Sequence, residues 1–64
     1  MNDNELSTVA AEIARFVIEE GRVNGEDEEW WLGSLAVEVA LEADDRGYEN
    51  ASEISAEAVR LHRK

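Results

Sequence analysis

Apolar residues in the first third of the chain recur at spacings of three and four. Leu6, Val9, Ala10, Ile13, Phe16 and Val17 therefore share one helical face. Ala11, Ala14 and Ile18 widen that face and leave a narrow polar strip of Thr8, Glu12, Arg15 and Glu19. So wide an apolar arc calls for cover from more than one neighbour. Asn2 followed by Glu5 fits a capping box, and Gly21 suits a left-handed C-terminal cap. The spacing predicts a helix over about residues 4–20.

Residues 21–25, Gly-Arg-Val-Asn-Gly, read as a turn with Asn24-Gly25 at its tightest point. A second helix, over about 26–46, opens on Glu26, Asp27, Glu28 and Glu29. Carboxylates in a first turn complement the positive end of the helix dipole, although they also repel one another. Leu32, Leu35, Ala36, Val39, Ala40 and Ala43 form one apolar stripe on this helix. Trp30, Val37 and Leu41 form a second, nearly opposite, because positions seven and eleven apart return to the same side. A helix apolar on two sides is either sandwiched between its neighbours or has one face buried against another chain. Gly33 lies inside it at a cost of about 1 kcal/mol relative to Ala, which close approach of another helix would explain.

Asp44-Asp45-Arg46-Gly47 ends the second helix, with Gly47 as its cap. A third helix follows over about 51–63. Asn50 with Glu53 repeats the capping-box pattern, and Ile54, Ala58 and Leu61 face one way. Arg60, His62, Arg63 and Lys64 suit the negative end of this helix. Proline is absent, and the commonest residues, Ala and Glu, are strong helix formers. The expected fold is a small all-α domain of three helices with a central, two-sided second helix, packed either alone or as a homodimer.

Size makes the second copy worth weighing. A chain of about 60 residues buries only about 60% of its unfolded surface. A single core at this length rarely supplies more than about 3–5 kcal/mol. With no cysteine, neither disulfides nor thiolate metal sites can add to it.

Charge narrows the class of partner. Sixteen acidic residues against six basic ones give a formal net charge of −10. Such a surface repels nucleic acid and anionic membranes and attracts basic protein surfaces. The N-terminus is neither basic nor apolar, as a secretory signal would be, and the uncharged run Trp30–Val37 is too short to span a bilayer. A soluble cytoplasmic protein is the expectation.

No motif identifies a reaction. His62, the single histidine, sits among cations near the C-terminus, where a capping or solvent role outweighs that of a general base. Ser7, Ser34, Ser52 and Ser55 lack a recognisable Ser–His–acid arrangement. Counted from Glu42, an EF-hand-like frame places Asp44, Gly47 and Glu53 at the third, sixth and twelfth positions. It also puts Arg46 where an oxygen ligand belongs and Glu49 in an apolar place. The expectation is a non-enzymatic protein with no cofactor and no metal.

Two features suggest binding instead. Trp30 and Trp31 point about 100° apart, so one belongs to the core and the other, Trp30, to an interface. Glu38, Glu42 and Asp45 follow one helical ridge, and Glu5, Glu12 and Glu19 another. Rows of carboxylates can imitate a phosphate backbone, although a solvated face or adaptation to high salt explains them as simply. In size, acidity and helicity the chain resembles the small DNA-mimic inhibitors of phages and mobile elements, including anti-restriction and anti-CRISPR proteins. The resemblance is one of class, with no diagnostic motif. It implies that Glu26, Asp27, Glu28, Glu29, Glu38, Glu42 and Asp45 contact basic residues of a nucleic-acid-binding protein, with Trp30 or Trp31 as anchor. The competing expectation is a homo-oligomeric regulatory or antitoxin-like module joined through Trp30, Val37 and Leu41.

Overall fold

The structure, a computed structural model, describes residues 1–64. Three helices, α1 (Asp3–Glu19), α2 (Glu28–Asp45) and α3 (Ala51–His62), form an all-helical domain in which each helix packs against the other two. Its accessible surface, 4299 Å², is close to the roughly 4100 Å² that a folded monomer of this mass exposes.

Local chemistry sets the helix ends. Asn2 accepts the Glu5 backbone N–H at 2.8 Å and donates to the Glu5 carboxylate at 3.2 Å, closing the start of α1. At its other end Gly21, with φ of 71°, reverses the chain, and the Gly21 and Arg22 N–H groups donate to Ile18 and Val17. Gly47 does the same for α2: its N–H donates to Asp44 and that of Tyr48 to Ala43. Helix α2 starts later than its acidic run suggests, because Asp27 acts as the cap and accepts the Trp30 N–H at 2.9 Å. The run therefore straddles the helix start. The second capping box does not form, since Asn50 makes no side-chain cap to α3.

Ten side chains are buried: Ala10, Ile13, Ala14 and Val17 from α1, Leu32, Leu35, Val39 and Ala43 from α2, and Ile54 and Ala58 from α3. Four are alanines, which let helix axes come close, and none is polar. No aromatic residue is fully buried; Trp31 and Tyr48 pack at the edge of this core. On α3 the inward face is rotated from the expected one. Leu61 is exposed, while Val59 packs against the core and His62 lies half-buried against Trp31.

The opposed stripe on α2 separates sharply from the core. Trp30, Val37 and Leu41 are 73%, 58% and 57% exposed. Helix α2 is therefore not sandwiched within one chain. Both neighbours share its inner stripe, and its outer one faces solvent.

The loop between α1 and α2 folds back along α2, where the Ser34 hydroxyl accepts the Asn24 N–H at 3.0 Å. Gly25 has φ of 142°, and a Cβ placed there would lie 2.6 Å from the Trp31 backbone nitrogen. Gly25→Ala is expected to cost about 1–3 kcal/mol, because backbone strain and backbone contact both oppose it. Chemical denaturation of the variant checks this.

Candidate interaction surface on the second helix

The outer face of α2 carries an open groove of about 570 Å³ lined by Asn24, Glu29, Trp30, Gly33, Ser34, Val37 and Glu38. Trp30 and Val37 stand on either side of Gly33. A Cβ at Gly33 would meet nothing within 4 Å, so no helix of the same chain explains this glycine. The expected close neighbour is absent from the folded monomer, and a recess remains in the apolar stripe. From Trp30 to Leu41 the stripe runs about 16 Å, at roughly 1.5 Å per residue.

The acidic residues expected beside this stripe fall into two groups. Glu38 and Glu42 are occupied. Arg22, just past the α1 cap, places Nε 2.9 Å from Glu38 and Nη1 2.9 Å from Glu42. The second Glu42 oxygen accepts from Arg46, also at 2.9 Å. These contacts hold the Glu42 carboxyl below the ordinary carboxylate value, through the hydrogen bonds from Arg22 and then Arg46, and raise Arg22 above its own. The Arg46 guanidinium also lies 5.0 Å from the centroid of Phe16, tying α2 to α1. The predicted Glu38–Glu42–Asp45 ridge is thus no free row of carboxylates, and of the three only Asp45 makes no ion pair.

At the start of α2, Glu26 and Asp27 are exposed, the latter engaged as the helix cap. Glu29 meets Arg63 at 3.2 Å in a solvent-facing pair, and Glu28 accepts the Lys64 backbone N–H at 3.1 Å. Exposed pairs of this sort are worth about 0–1 kcal/mol, so a cationic partner can displace them. At the far end Asp44 and Asp45 are exposed without ion pairs. The apolar stripe is therefore bracketed by carboxylates at both ends. Trp31, by contrast, lies half-buried with its ring 5.9 Å from that of His62.

Elsewhere the polar groups do structural work. Glu57 accepts from Ser7 across the α1–α3 contact and from Arg60 at 2.7 Å. Its carboxyl is lowered from 4.5 to about 2, chiefly by Arg60 and then by Ser7, against the opposing effect of burial. The His62 ring nitrogen sits 3.0 Å from the Ala58 carbonyl, and Ser55 donates to Ser52. Glu42, the first position of the EF-hand-like frame, is helical and taken by two guanidiniums, and no three His, Asp or Glu side chains cluster to hold a metal. No helix is long and apolar enough to cross a membrane.

Sequence reasoning underrated Arg22. Four of the six cations, Arg22, Arg46, Arg60 and Arg63, are committed to four carboxylates, leaving twelve acidic residues outside any ion pair. Only the fold reveals which carboxylates those are, because Arg22 and its acceptors are 16 and 20 positions apart. Comparison with known proteins finds no matching family model, no matching curated protein and no matching solved structure.

Three measurements follow from this geometry. Trp30→Ala is expected to change folding stability by less than about 0.5 kcal/mol, as an exposed residue should. Leu35→Ala, at the fully buried stripe, is expected to cost about 2–5 kcal/mol in the same denaturation experiment. Glu57 has a folded pKa below its ordinary value, so its contribution to stability is complete above about pH 4.5 and is lost as pH falls toward 2. Carboxyl NMR titration should place the Glu57 midpoint near 2, with Arg60→Ala moving it upward.

Proposed function

We propose that this chain is a non-enzymatic acidic binding protein that occupies a basic, nucleic-acid-binding surface of another protein through the outer face of α2. The observation that carries the reading is the uncovered Trp30–Val37–Leu41 stripe, bracketed at both ends by exposed carboxylates. An apolar stripe provides the desolvated anchor that exposed ion pairs alone lack. The acidic ends select a cationic partner and speed its approach. Each named carboxylate then has a defined part. Glu26, Glu28, Glu29, Asp44 and Asp45 face the partner, Asp27 holds the helix start, and Glu38 and Glu42 hold Arg22 in place beside the groove.

Charge argues against self-association as the main role. An antiparallel pairing of two α2 helices sets Glu26–Glu29 of one copy beside Asp44 and Asp45 of the other, at both ends of the contact. A parallel pairing sets each acidic end against itself. The cations near these ends are few: Arg46 is committed to Glu42 and Phe16, and Arg63, beside Lys64, already meets Glu29. Like charges brought together at an interface cost several kcal/mol.

The test is affinity capture with the purified chain at about 0.1 M and about 1 M salt, between which the Debye length falls from about 10 Å to about 3 Å. The expected partner is a basic nucleic-acid-binding protein, recovered at low salt, lost at high salt and displaced by duplex DNA. Light scattering should report a monomer. A salt-insensitive homodimer with no basic partner would overturn the proposal in favour of a structural oligomer.

A further inference from the structure

The partner's mode of contact can be read from the shape and charge of the same face. We infer that the recess at Gly33 receives a bulky apolar side chain from a cationic amphipathic helix of the partner; this rests on the binding role proposed above. Three observations converge on that occupant. Gly33 opens a gap between two large exposed apolar residues, Trp30 and Val37, and nothing in its own chain comes near. The stripe that contains the gap runs along a helix for about 16 Å, or three turns, the footprint of a helix laid into a groove. The carboxylates cluster beyond the two ends of the stripe, with Glu26 to Glu29 at one and Asp44 and Asp45 at the other. The complementary helix is therefore apolar in the middle and basic at both ends.

The charge layout separates this mode from imitation of a phosphate backbone. Duplex DNA carries about one charge per 1.7 Å of axis. Of the ridge that would mimic it on α2, Glu38 and Glu42 are taken by Arg22 and Arg46, which leaves Asp45 alone. The exposed row Glu5, Glu12 and Glu19 on α1 advances seven residues at a time, about 10 Å per charge. So sparse a row resembles a phosphate strand poorly. Specificity on this surface rests on apolar fit, with charge as the guide.

Calorimetric titration with two synthetic peptides tests the inference. One carries leucines along a single helical face and lysines at both ends. The other has the same composition in scrambled order. The wild-type chain should bind the first more tightly than the second. Gly33→Ala should weaken that binding about tenfold or more, the scale of a buried interface contact, while raising the thermal unfolding midpoint. A rise in stability beside a loss of affinity excludes misfolding as the cause. Trp30→Ala should weaken binding without lowering the midpoint.

Equal binding of the two peptides, unaffected by Gly33→Ala, would overturn the recess and leave charge-driven binding of a basic surface standing. Failure of the leucine-faced peptide to bind would also overturn it. If capture likewise returned no basic protein, the broader reading would fall as well. A wild-type dimer that Gly33→Ala dissociates would assign the recess to a second copy of the chain and overturn the inference.

Discussion

The inner stripe of α2 is the constraint on which the domain depends. Leu32, Leu35, Val39 and Ala43 form the wall against which both α1 and α3 pack, and Leu35 is among the largest fully buried side chains. A 64-residue chain has too little volume for a further layer, so its two remaining helices both go to one side of α2. The alanines in the core permit this by allowing close helix approach, at the cost of a small buried apolar volume. The opposite side of α2 is left uncovered as a direct consequence. What leaves the outer stripe exposed is the same economy that holds the fold together.

Electrostatics then divides the acidic residues by task. Arg22 emerges from the α1 cap and crosses to Glu38 and Glu42, while Arg46 joins Glu42 from the end of α2 and lies over Phe16. This cluster fastens the α1–α2 loop and frames one side of the groove. Glu57 fastens α3 to Ser7 of α1 in a comparable way. With most of the cations spent on such ties, the remaining carboxylates are uncompensated, and those near α2 gather beyond the ends of its apolar stripe.

Much of this was legible in the residue pattern. The three helices, the caps at Asn2, Gly21 and Gly47, and both stripes of α2 follow from local periodicity and capping chemistry, which act over a few residues. The errors share a cause too. The acidic run reads as a first turn until Asp27 is seen to cap the helix, and Asn50 resembles a cap that its backbone conformation, with ψ of 42°, does not support. On α3, Val59 and Leu61 are two positions apart and point to nearly opposite sides, flanking the face of Ile54 and Ala58, and only the placement of the other helices decides which of them turns inward. The Glu38–Glu42–Asp45 ridge looked free because its counter-ion comes from a different element.

The sequence by itself determined an acidic, all-helical chain whose second helix is apolar on two sides. That much is encoded in side-chain type and spacing along a helix. Only the tertiary structure decided that one stripe is core and the other open. It alone showed that Gly33 has no neighbour and which carboxylates remain unpaired. Those outcomes depend on where distant segments lie in space, and on how few of them a chain this short can bring to bear.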